Sequence, residues 1–64
     1  MRDREVQRLE RDIEVREPRL KELEVLLADP GVYHDGVRAR KLVTEFERLR
    51  AEMESLWQRL GELG

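Results

Sequence analysis

Tyr33, His34 and Asp35 stand side by side near the middle of the chain, the one cluster whose residue types suggest catalysis or metal binding. An imidazole can move a proton near neutral pH, and a neighbouring carboxylate can orient it. A metal centre, however, needs three or four convergent ligands, and covalent catalysis needs a nucleophile, a base and a cleft. One histidine and one carboxylate on a short segment meet neither requirement. The sequence also lacks cysteine and any Gly-x4-Gly-Lys-Ser/Thr loop for cradling nucleotide phosphates. No catalytic residue, cofactor, metal or small-molecule substrate is expected.

A second suggestive set is basic. Between Val37 and Arg50 lie Arg38, Arg40, Lys41, Arg48 and Arg50 against Glu45 and Glu47, a local net of +3. Between Glu17 and Asp35, five acids (Glu17, Glu22, Glu24, Asp29, Asp35) oppose Arg19 and Lys21, a local net of −3. A stripe of Arg38, Arg40, Lys41 and Arg48 could contact phosphates. Arg2, Arg4, Arg8 and Arg11 form a second candidate group near the N-terminus. The whole chain nevertheless carries a formal charge of −2, whereas strong nucleic-acid binders are usually basic. Taken alone, the charges are better read as an ordinary solvated face whose two halves attract each other.

The elements that must position these residues are read from the apolar spacing. One series runs Val6, Leu9, Ile13, Arg16, Leu20, Leu23, Leu27, with one polar intruder; the other runs Leu42, Phe46, Leu49, Met53, Leu56, Leu60, Leu63. Both step alternately by three and four, the spacing of a coiled-coil seam. Folding the chain back at His34 and Asp35 pairs positions whose numbers add to 69, from Leu27 with Leu42 to Val6 with Leu63. Each layer then joins an a position to a d position, as antiparallel helices require. The expected fold is all-α, a two-helix antiparallel coiled-coil hairpin in a single domain of residues 1–64. Helix 1 covers about 3–28, the tip loop about 29–35 and helix 2 about 36–62. Asp29-Pro30-Gly31 stops the first helix, with glycine tolerating the reversal, and Asp35 is placed to cap the second. The same pairing sets Asp12 opposite Arg59, Arg19 opposite Glu52 and Glu17 opposite Arg50, all of opposite sign. No apolar run approaches the length of a membrane span and no signal peptide is evident, so a cytoplasmic protein with no membrane partner is expected.

Several residues break the pattern. Arg16 occupies a seam position and Pro18 follows on the outer face, which predicts a bend near Glu14 to Pro18. The favoured reading has Arg16 reaching past Met53 to water; a hinge or partner contact is the alternative. Trp57 flanks the seam opposite Glu10, and packing over the seam edge is favoured over stacking on a partner. Val25, Leu26, Val37 and Val43 are expected to cap the tip with Val32 and Tyr33, in preference to forming an exposed patch.

The spacing Leu9-x3-Ile13, Glu17-x2-Leu20-x2-Leu23-x3-Leu27-Ala28-Asp29-Pro30-x2-Tyr33, with a heptad helix closing on Leu56-Trp57-x-Arg59-x2-Glu62-Leu63, resembles the C-terminal coiled-coil domain of ABC-F ATPases. These are soluble ABC proteins with two nucleotide-binding domains and no membrane domain. The resemblance spans nearly the whole chain. Arg16 departs from it where the family has an apolar residue, Glu10 where it often has proline, and Leu60-Gly61 where it has tryptophan and an acid. The bacterial peptide-chain release factors show a weaker likeness, in a Leu-x-Asp-Pro-x-Val turn between helices. The ABC-F resemblance implies a non-catalytic accessory arm, with ATP hydrolysis belonging to other domains, and DNA or ribosomal RNA as the partner. The competing reading is a protein-protein interaction coiled coil, a dimerisation or docking module without nucleic-acid binding. A monomer or weak dimer is expected.

Overall fold

The computed structural model describes residues 2–63. Helix α1 spans Arg2–Ala28, a 3-10 helical turn spans Pro30–His34, and helix α2 spans Gly36–Leu63. The two helices lie side by side as a hairpin 49 Å long and 15 by 13 Å across. Its radius of gyration is 14.7 Å, against about 11 Å for a globular chain of this length. A rod this thin has no centre in which to bury side chains. Its core is the seam where the apolar stripes of the two helices meet.

That seam holds Leu9, Ile13 and Leu23 from α1 with Leu42, Leu49 and Met53 from α2, all buried. Leu20, Leu27, Phe46, Leu56 and Leu60 are half-buried. Packing is tightest near the tip, where Leu23 is 0% exposed in a cluster with Val32, Ala39, Leu42 and Leu49. Ala39 extends the α2 stripe one step earlier than the expected series, and Val32 folds inward from the turn to close the end. Leu26 and Val43 join this region as half-buried edges. Val25 and Val37, expected in the cap, are instead 72% and 67% exposed. Both are at f positions of their heptads, the positions farthest from the partner helix, so geometry turns them to water.

The turn reverses the chain without any left-handed residue. Asp29 starts it as an N-cap, its carboxylate accepting from the Gly31 amide at 2.9 Å, and Pro30 occupies the first helical position. Gly31 therefore does not supply a positive φ, as the sequence had suggested. What favours its small size is proximity, since a Cβ there would lie 3.3 Å from Asp29 Oδ1. Asp35 ends the turn and caps α2, accepting from the Arg38 amide at 3.1 Å. The Tyr33 hydroxyl donates to the Leu27 carbonyl at 2.7 Å, satisfying one acceptor that the end of α1 leaves open. Helix α1 continues as helix through Pro18, whose ring is on the exposed face.

The ion pairs between the helices differ from those expected. Arg19 grips Glu45 with both ends of its fork, Nε to Oε2 at 2.8 Å and Nη2 to Oε1 at 2.7 Å, and also contacts Glu22. Arg59 donates to Glu5, Nη2 to Oε1 at 2.8 Å. Arg16 Nε donates to Glu52 at 3.2 Å, while its Nη1 donates to the Asp12 carbonyl at 2.8 Å and lies 4.0 Å from the Asp12 carboxylate. Arg19 and Arg59 thus take carboxylates one heptad away from Glu52 and Asp12; Glu52 serves Arg16, and Asp12 serves it mainly through its backbone carbonyl. Side chains on the facing edge recur every seven residues, so each arginine has two candidate partners. Arg16, rooted in the seam, takes Glu52 and so leaves Glu45 to Arg19. Glu17 and Arg50 form no ion pair among the described residues; the Arg50 guanidinium carbon lies 5.7 Å from the Phe46 ring centre.

Two consequences can be measured. Leu23→Ala is expected to cost about 2–5 kcal/mol and Val25→Ala within about 0.5 kcal/mol, as read by urea unfolding followed by circular dichroism. Separately, hydrogen bonds from Arg59 and Arg19 hold the Glu5 and Glu45 carboxyls below their ordinary value of 4.5. Lowered carboxyl pKa values give stability that is complete above 4.5 and lost as the pH falls through the lowered values. The thermal midpoint should therefore be level from neutral pH to about 5 and drop below it, and Glu5→Gln with Glu45→Gln should shrink that drop.

Candidate nucleic-acid interface

Near the tip, one outer face of α2 carries Val37, Arg40, Lys41, Thr44, Glu45 and Arg48 around a shallow groove. Steps of three and four residues place them in one line along the helix. The groove brings together three of the basic residues singled out in the sequence, Arg40, Lys41 and Arg48. All three are exposed, and none forms an ion pair among the described residues. Arg38 is also exposed, but its spacing puts it on the seam edge, seven residues before Glu45, and it does not line the groove. Thr44 turns its hydroxyl back to the Arg40 carbonyl at 2.9 Å, so it presents little polar character to the surface.

Glu45 is the one acid in this groove, and an unpaired carboxylate there would repel an anion. The bidentate grip of Arg19, reaching across from α1, neutralises it and keeps its carboxyl ionised. Arg19 is thus a residue of this site that the sequence did not point to, because its expected partner was Glu52. The start of α2 adds little positive potential, because the Asp35 carboxylate caps it and accepts from the Arg38 amide. The positive character of the face comes from the side chains of Arg40, Lys41 and Arg48.

The second group is apart from the first. Arg4, Arg8 and Arg11 are exposed near the open end of the 49 Å rod. Arg8 lies near enough to Glu5 to help keep that carboxyl ionised. Arg2 lies in α1, but its side chain is outside the described residues. The two basic groups therefore do not form one surface.

The Tyr33, His34 and Asp35 cluster is taken up by the turn. Tyr33 ties the turn to α1 and Asp35 caps α2, while His34 is exposed at the turn's end. No three metal-ligating side chains converge among the described residues. Among the same residues, no helix is long and apolar enough to cross a membrane.

A family model described as "ABC transporter C-terminal domain" matches residues 1–64. No curated protein and no solved structure matches the chain. The family is that of an accessory helical domain of ABC transporter-type proteins. With its whole length matched, the chain belongs to the ABC transporter C-terminal domain family.

Proposed function

We propose that this chain is a rigid accessory arm of a soluble, cytoplasmic ABC-F ATPase and that it contacts the phosphates of DNA or ribosomal RNA through α2. The observation that carries this reading is the groove of Arg40, Lys41 and Arg48. Its cations form no ion pair among the described residues, while its one acid is neutralised from α1. Arg38 extends the basic surface toward the tip, and Arg4, Arg8 and Arg11 offer a second, weaker contact. The arm performs no chemistry. Fixed helices set the spacing of the cationic side chains before binding, so only the ordering of those side chains opposes the contact.

This arrangement fits phosphate recognition better than base readout. Guanidinium and ammonium groups on a convex helix face reach the backbone of a duplex or a structured RNA. The groove offers no aromatic side chain on which an unstacked base could rest.

The test is a titration of the chain against labelled double-stranded DNA, single-stranded DNA and a structured RNA at about 50 and about 200 mM salt. Binding should weaken steeply with salt. Replacing Arg40, Lys41 and Arg48 with glutamine should reduce affinity. It should also flatten the salt dependence by roughly one unit of log–log slope for each phosphate that is no longer neutralised. Arg19→Gln should weaken binding as well, because it leaves Glu45 unpaired in the groove. Equal binding by the triple variant and the original chain would refute the assignment.

A further inference from the structure

The two edges of the seam are finished differently. On the edge formed by g positions, Arg16, Arg19 and Arg59 bridge α1 and α2 through Glu52, Glu45 and Glu5. The e edge has no such bridge among the described residues. Glu10 and Glu17 occupy e positions on α1, yet neither is ion-paired among those residues. Arg50, the cation facing Glu17 in the expected pairing, sits against Phe46.

This open edge forms a groove between the helices. It is lined by Glu10, Ile13, Glu14, Glu17, Trp57 and Leu60. Three carboxylates stand along its α1 side, while Trp57 remains 53% exposed and Leu60 half-buried on its α2 side. An exposed indole beside such carboxylates suits a cation with an apolar stem. The ring face attracts the charge, the acids neutralise it and the aliphatic chain covers the ring.

We propose that this edge docks a lysine- or arginine-rich helical segment of a partner protein, laid along the rod as a third helix. Charge complementarity selects the partner's chemistry, and a helix can match the helical spacing of the acids. Glu10, Glu14 and Glu17 follow one another at four and three residues on α1. An antiparallel or parallel helix with cations at the same intervals meets all three. One cation of that helix lies over Trp57, and its apolar residues cover Leu60 and the exposed part of the indole. Lys21, one turn beyond Glu17, is the cation of α1 that limits the acidic stretch toward the tip. The proposal makes no use of the Arg40, Lys41 and Arg48 groove, so it stands independently of the nucleic-acid reading.

Trp57 is the one tryptophan of the chain and reports on its own groove. The probe is a synthetic helical peptide of alanine, leucine and lysine with lysines at the Glu10, Glu14 and Glu17 spacing. A matched peptide with glutamate for lysine is the control. The lysine peptide should shift the Trp57 emission saturably and the control should not. Affinity should fall about tenfold or more in the Glu10→Gln, Glu14→Gln, Glu17→Gln variant and stay unchanged in the Arg40→Gln, Lys41→Gln, Arg48→Gln variant. Circular dichroism checks that both variants keep their helix. Equal affinity in the glutamate-to-glutamine variant, binding without an emission change, or no binding up to about 1 mM peptide would each overturn the proposal. So would an emission change that follows the chain's own concentration together with a dimer in sedimentation, since the groove would then belong to a second copy.

Discussion

Everything in this structure depends on one line of apolar contact between two helices. A chain of 64 residues without cysteine has little surface to hide and no covalent staple. Its apolar residues are spaced for a seam, and the seam is buried when the second helix returns along the first. Leu23 at the tip and Leu9 near the open end are both buried, so the contact extends over most of the rod. The turn of Pro30–His34 is the complement of that demand. Val32 seals the tip, while Asp29, Tyr33 and Asp35 satisfy backbone groups that the two helix ends leave open.

A second constraint comes from the one charged side chain in the seam. Arg16 stands at a seam position and is only partly exposed, so it draws on the Glu52 carboxylate and the Asp12 backbone carbonyl. With Glu52 engaged, Arg19 pairs one heptad away with Glu45, Arg59 pairs with Glu5, and the ion pairs between the helices gather on one edge. The functional surfaces follow from this distribution. Arg19 holds Glu45 and leaves the α2 groove positive, while Glu10, Glu14 and Glu17 take no cation among the described residues. One internal choice of partners thus leaves a basic face and an acidic groove on the same thin rod.

The sequence made the hairpin readable because seam positions follow a strict period and because antiparallel pairing admits few phases. The edge partners were not readable. Residues of the facing edge repeat every seven positions, and spacing alone cannot separate Glu45 from Glu52 as the mate of Arg19. The role of Gly31 was also misjudged, because a 3-10 turn reverses the chain with ordinary dihedrals where a looser turn would need a left-handed residue. Val25 and Val37 were grouped with the tip by nearness in sequence, although their heptad position turns them outward. Of the candidate interface, Arg40, Lys41 and Arg48 could be named from charge alone. The neutralisation of Glu45 could not, since it depends on a contact between residues 26 positions apart.

The most direct test of this account is a charge swap across the edge. Arg19→Glu and Glu45→Arg should each lower the thermal midpoint, and together they should restore most of it. The same exchange of Arg19 with Glu52 should restore nothing, since Glu52 belongs to Arg16. Recovery in the Glu52 exchange but not in the Glu45 exchange would contradict the pairing, and with it the origin assigned to both surfaces.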